Sequence, residues 1–241
     1  MLQIDNLTKK FGAFEAVRDV SFGVSEGEVF ALLGPNGSGK TTTLKCISGL
    51  TIPNAGRVRI CGIEAGAGST RARELISYLP QRAAFPENLT AREVARFYAR
   101  LRNVPKEKAD AALAQAHIEG SEDKPVGDFS GGMLQRLGLA VAALADAPVL
   151  LLDEPTANLD PHGVRRFREF ILGQKEQRKT VLFSTHLLPE AEQLADRVGI
   201  FVGGRLVAQE SIDNLRQAFR ASGGSIEEMY LQYVGERDDE R

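Results

Sequence analysis

Residues 34–42 read Gly-Pro-Asn-Gly-Ser-Gly-Lys-Thr-Thr, directly after the apolar run Val29–Leu33 and directly before the helix-like Thr43–Ile47. Strand, glycine-rich loop and helix in that order leave few folds open, because this is the P-loop pattern and it works only where a buried strand hands over to a helix. Gly34, Gly37 and Gly39 let consecutive backbone N–H groups curl around phosphate oxygens without a Cβ in the way, with Pro35, Asn36 and Ser38 completing the loop. The helix that starts near Lys40 adds its positive end. Lys40 then reaches the β- and γ-phosphates, Thr41 offers its hydroxyl to Mg²⁺ and Thr42 contacts a phosphate.

A second acidic element fits the first. Val149-Leu-Leu-Leu-Asp-Glu154 places two acids at the C-terminal end of an apolar strand, where ligands sit in open α/β sheets. Asp153 suits an outer contact to Mg²⁺, and Glu154 is a candidate general base that polarises the attacking water.

Composition limits the setting. The 241 residues match one large α/β domain, and a net charge of −2 gives no bulk attraction to nucleic acid or anionic lipid. Cys46 and Cys61 have neither CxxC spacing nor a nearby histidine, so buried thiols in a reducing, cytosolic compartment are expected. Met1–Asn6 does not resemble a signal peptide. The longest apolar stretch, Leu137–Leu152, is broken by Asp146 and Pro148 and falls short of the roughly 20 residues of a spanning helix. A membrane role therefore passes through a partner.

Along the chain, residues 1–33 alternate in strand fashion and predict a small antiparallel sheet leading into the P-loop strand. Gly56–Ile60 and Ile76–Leu79 read as strands, and Ala65–Ser69 as a flexible turn. From 90 to 145 the period changes to helical: Thr90–Glu93 is a capping box, Pro105 opens a second helix, and Ser130 starts a third. Beyond it, strands Val149–Leu152, Thr180–Phe183 and Val198–Val202 alternate with helices at Pro161–Gln174 and Pro189–Ala195, which indicates a buried parallel sheet. Arg205–Gln209 is a return strand, followed by helical patterns at Ile212–Phe219 and Ser225–Tyr233.

At this point the sequence resembles the ATP-binding cassette (ABC) transporter ATPases, over nearly its whole length. The P-loop, Gln81, Phe129-Ser-Gly-Gly-Met133, Asp153-Glu154, Ala157-Asn-Leu-Asp160 and His186 occur in the order that marks that family. The resemblance implies a P-loop NTPase with a RecA-like parallel-sheet core, an N-terminal antiparallel β subdomain and an inserted helical subdomain. Within a single domain over 1–241, that assigns 1–80 and 148–205 to the α/β core with its β subdomain, 82–147 to the helical subdomain, and 206–241 to a C-terminal strand and helical tail.

Residue roles carry over one at a time. Ser130 and the Gly131 and Gly132 amides form a helix N-terminus that grips the γ-phosphate of ATP held by the opposite protomer. Asp160 resembles the aspartate that communicates across the dimer, Gln81 the glutamine that ligates Mg²⁺ beside Thr41 and Asp153, and His186 the switch histidine on the γ-phosphate. Phe11 resembles the aromatic that stacks on adenine, although Phe14 lies nearby and either ring could belong to the core. His117 and His162 read as structural. The signature departs from the commonest Leu-Ser-Gly-Gly-Gln at Phe129 and Met133, and Met at that position recurs in export-type (ABC-2-like) members.

The implied function is an ATP-binding, ATP-hydrolysing subunit that dimerises head to tail, as a homodimer or with a second such subunit, on the cytoplasmic face of membrane-spanning partners. The groove for those partners is expected near Gln81–Leu89, with Ala83–Pro86 as an apolar patch. A soluble relative acting on ribosomes or DNA is the alternative; such chains usually carry two cassettes or a long coiled-coil insertion, and neither is present. A GTPase should show Asn-Lys-x-Asp, which is absent, and a kinase leaves Ser130 and His186 without a purpose.

Overall fold

A computed structural model describes residues 1–222 apart from 67 and 119, with side chains as far as 217. The helical pattern read at Ser225–Tyr233 lies outside these residues. The strands are β1 (Leu2–Phe11), β2 (Phe14–Val24), β3 (Val29–Leu33), β4 (Ala55–Ile60), β5 (Ile63–Ala65), β6 (Ile76–Leu79), β7 (Val149–Asp153), β8 (Thr180–Thr185), β9 (Arg197–Val202) and β10 (Arg205–Ser211). The helices are α1 (Lys40–Ile47), α2 (Thr70–Glu74), α3 (Ala91–Leu101), α4 (Lys106–Gln115), α5 (Gly131–Leu144), α6 (Pro161–Glu176), α7 (Leu188–Leu194) and α8 (Ile212–Ser222), with a 3₁₀ turn at Val126–Asp128.

Two sheets form the core: an antiparallel one in the order β2-β1-β4-β5 and a six-stranded one in the order β10-β9-β3-β8-β7-β6. In the larger sheet β9, β3, β8, β7 and β6 are parallel, and only β10, paired with β9, runs antiparallel. The P-loop strand β3 lies inside this sheet, and all five of its residues are buried. Its two faces go to different cores. Phe30 and Leu32 join Leu44 and Ile47 of α1 and the inner face of the antiparallel sheet, while Val29, Ala31 and Leu33 join Phe167, Ile171 and Ala191 of α6 and α7. A continuous apolar run therefore marks a strand covered on both sides, as expected for a parallel sheet.

The inserted helices have their own core, built from Val94, Ala95, Leu113, Leu137 and Leu144 among others. The capping box read in the sequence closes α3: the Thr90 hydroxyl accepts the Glu93 N–H and the Glu93 carboxylate accepts the Thr90 N–H at 2.8 Å. The helical unit seats on the sheet through Gly138, where a Cβ would fall 2.7 Å from Leu79 Cδ1. A side chain at 138 would have to push Leu79 aside or move α5 away from β6.

The turn read at Ala65–Ser69 leads from β5, hydrogen-bonded to β4, into the five-residue α2, two short elements the sequence reading did not include. Cys61, expected as a buried thiol, is exposed. The tight turn has positive φ at Cys61 and Gly62, and α2 is capped by Ser69. Elements of three and five residues are too short to show a period.

Phe183 is fully buried in β8, so Phe183→Ala should cost about 3–5 kcal/mol in urea unfolding. Leu172→Ala, at a side chain half exposed on α6, should change stability by less than about 0.5 kcal/mol.

Candidate nucleotide site

The site begins where β3 runs out. Gly34 donates its N–H to the Thr185 carbonyl at 3.2 Å, and a Cβ on it would fall 2.2 Å from the Phe201 carbonyl oxygen. No other residue lets the loop leave the sheet so tightly between β8 and β9. Gly39, at the N-cap of α1, has φ 103 and would put a Cβ 2.6 Å from the Ala16 carbonyl. The loop is thus pinned against the main sheet at one end and β2 at the other.

Lys40 is buried and folds back over the loop, with its ammonium donating to the carbonyls of Gly34 at 2.7 Å and Pro35 at 2.9 Å. Burial lowers its pKa, and the neighbouring carboxylates of Glu154 and Asp153 oppose that shift. The Ser38 hydroxyl is buried in the same loop without a hydrogen-bond partner. A polar atom left this way needs a ligand oxygen or water.

Asp153 ends β7 almost fully buried and collects donors from three elements. The Thr41 hydroxyl donates to its Oδ1 at 2.9 Å, the Ser184 hydroxyl to Oδ1 at 2.7 Å, and the Tyr78 hydroxyl reaches Oδ2 at 3.4 Å. Burial, and then the Asp153 charge, push the Tyr78 phenol up. Glu154 follows with φ 44, a left-handed conformation that is strained for a glutamate. The Ser184 hydroxyl secures it by accepting its N–H at 2.9 Å. The Glu154 carboxylate accepts from Gln81 Nε2 at 3.2 Å, lies 3.4 Å from His186 Nδ1, and sits 3.8 Å from the Lys40 ammonium. Strain, burial and three polar neighbours thus converge on one carboxylate, a combination that marks candidate functional groups.

Residues 36–42, Phe14, Ala16, Gln81 and Glu154 line a cleft of about 410 Å³. Phe11 and Phe14 face each other across the end of the β1–β2 pair; both rings are exposed, so neither is a core residue. Phe14 is the one on the cleft wall, while the Phe11 ring lies under the Lys9 ammonium at 4.9 Å. Gln81, expected beside Thr41 and Asp153, lines the same cleft as Thr41 and donates its amide to Glu154. Ser184 and Tyr78 escaped the sequence reading.

Ser130, Gly131, Gly132, Asn158 and Asp160 line a second cleft of about 450 Å³, which shares no lining residue with the first. Ser130 caps α5 by accepting the Met133 N–H, and Asp160 caps α6 by accepting the Gly163 N–H at 2.7 Å. Behind this cleft the buried Gln135 amide donates to the Pro155 carbonyl at 3.0 Å, joining α5 to the segment that follows Glu154.

A P-loop, a strand-end acid pair and a histidine beside the second acid define a nucleotide-hydrolysing ATPase domain. A model of the family described as ABC transporter matches residues 17–157. The uncharacterized ABC transporter ATP-binding protein YxlF of Bacillus subtilis is 40% identical over 222 residues, spanning 90% of this chain and 73% of that protein. Nod factor export ATP-binding protein I of Burkholderia lata is 39% identical over 208 residues, 85% of this chain and 68% of that one. A solved dimer of the ATP-binding cassette MJ0796, in a post-hydrolysis state bound to ADP and Pi, has a TM-score of 0.80 at 26% identity and covers 88% of this chain and 99% of its own. The chain belongs to the ABC transporter family, as an ATP-binding and ATP-hydrolysing subunit.

Ser184→Ala would remove a donor to Asp153 and the acceptor of the Glu154 N–H, both buried. It should cost about 1–3 kcal/mol in urea unfolding and raise several-fold the Mg²⁺ concentration needed for half-maximal turnover, with Mg²⁺-free nucleotide binding preserved. Unchanged Mg²⁺ dependence would argue against Asp153 as the metal carboxylate.

Proposed function

We propose that this subunit energises a membrane transporter by closing head to tail on a second ATPase subunit around two ATP molecules. The observation that carries this reading is the division of labour between the two clefts. Lys40, Thr41 and Glu154 line one, with His186 beside Glu154, the Ser130–Gly132 helix start lines the other, and the two share no lining residue, which supports a phosphate held by the first meeting the second of another copy.

Within the first cleft, the loop amides and Lys40 hold the phosphates, and the purine stacks at the hairpin end where Phe14 lines the wall and Phe11 stands opposite. Thr41 and Asp153 already converge, so they fit a divalent cation, with Gln81 close by; the cation would neutralise phosphate charge. The Glu154 carboxylate accepts the proton of the attacking water as its oxygen bonds to the γ-phosphorus and the bond to ADP breaks. His186, more than a third exposed beside Glu154, turns to the γ-phosphate. Asp160 and the Ser130–Gly132 start meet the ATP of the other subunit.

Among the described residues no helix is long and apolar enough to cross a membrane. On this reading the membrane-spanning partner docks in the groove of about 150 Å³ between β6 and α5, lined by Tyr78, Ala83, Phe85 and Tyr98, with the subunit on the cytoplasmic face. Met133 and the export function in the Burkholderia relative's name both support outward transport.

Glu154→Gln should bind Mg-ATP without turnover and pass from monomer to dimer in light scattering with Mg-ATP but not Mg-ADP. A tightly binding, monomeric Glu154→Gln would overturn the shared-nucleotide interface. In the same framework, Lys40→Ala and Ser130→Arg homodimers should be inactive, whereas the mixture should regain turnover, because one mixed site keeps both an intact P-loop and an intact Ser130.

A further inference from the structure

The carboxylate of Glu190 has no part in the chemistry above, yet it is buried and one of its oxygens, Oε1, has no hydrogen-bond partner. Burial pushes its pKa up, against the opposing pull of the Thr156 and Thr185 hydroxyls. A buried carboxylate with an orphaned oxygen costs stability, so its presence asks for a compensating role.

Its other oxygen shows one. Glu190 Oε2 accepts from the Thr185 hydroxyl, which in turn accepts the Leu187 N–H at 3.0 Å. The same Thr185 offers its carbonyl to the P-loop through the Gly34 N–H at 3.2 Å. Helix α7 has no side-chain cap on its own N-cap residue, Leu187, so the Thr185 hydroxyl fixes the turn, and Glu190, one helical turn on, fixes that hydroxyl. His186 is the residue inside this turn, and its Nδ1 lies 3.4 Å from Glu154 Oε2.

We propose that Glu190 is the positioning residue for His186: through Thr185 it holds the 185–187 turn so that the imidazole emerges beside Glu154 and the γ-phosphate end of the cleft. This rests on the reading of His186 as a γ-phosphate contact. Glu190 does not line the cleft; it bears on the turn through the Thr185 hydroxyl and the Leu187 N–H that this hydroxyl accepts, with the Thr156 hydroxyl as a further neighbour. A misplacement of about 1 Å at a reacting group can cost about 10²-fold in rate, so loss of this support should appear in kcat rather than in nucleotide affinity.

The test is steady-state ATPase kinetics on the full chain with Glu190→Ala, Glu190→Gln, Thr185→Val, His186→Ala and the double variant Glu190→Ala/His186→Ala. Glu190→Ala and Thr185→Val should each lower kcat about tenfold or more with KM for ATP within about twofold. Glu190→Gln, whose amide oxygen still accepts from Thr185, should stay within about threefold of the parent. Adding Glu190→Ala to His186→Ala should lower kcat no further, because the group being positioned is gone. Multiplying effects in the double variant, or a Glu190→Gln as damaged as Glu190→Ala, would overturn the positioning role while leaving His186 in place. A His186→Ala with parental kcat would overturn the reading of His186 and the proposal with it. Should Glu190→Ala fail to fold, the comparison of Thr185→Val with Glu190→Gln decides the same point.

Discussion

A carboxylate at the end of a buried strand is tolerable only if donors surround it, and Asp153 is where this molecule meets that demand. The donors arrive from α1, β8 and β6, three elements far apart in sequence. Ser184 can serve because β7 and β8 run parallel with Asp153 and Ser184 as direct partners in the register. A slip of one residue would put Phe183 or Thr185 opposite Asp153 and take the Ser184 hydroxyl away from it. Sheet register and the donor set of Asp153 are therefore one constraint: the apolar residues of β7 and β8 bury the strands on both faces, and the few polar ones, Ser184 among them, stand where that register brings them to the acid.

Burial on both sides also sets the electrostatics. Lys40 and Glu154 are each more than nine-tenths covered, with the ammonium 3.8 Å from the carboxylate. Charges so placed are worth far more to each other than at a surface, and also cost more to leave unpaired. The P-loop carbonyls and the Gln81 amide share that cost. A phosphate entering the cleft meets charges already desolvated and oriented.

Much of this was legible in the chain. The P-loop, the acid pair and the Ser130 start are contiguous motifs whose chemistry lies within a few residues, and the α3 capping box is local in the same sense. The antiparallel and parallel sheets followed from alternation against continuous apolar runs. Ser184, Tyr78 and Phe14 were not legible, because their importance comes from pairing across the sheet or hairpin rather than from spacing along the chain. A hydroxyl inside the run Thr180–Thr185 was the available signal for Ser184. Phe11 and Phe14 were indistinguishable by composition, and only their cross-strand arrangement beside the loop separates them.

The hydrogen bond from Gln135 to the Pro155 carbonyl ties the inserted helices to the end of the acid pair. Ser130 stands at the start of the same helix α5, and Pro155 adjoins Glu154 with its strained φ, so one buried contact joins two clefts that share no lining residue. Any shift of α5 against the sheet would have to break this bond or carry the Pro155 peptide with it.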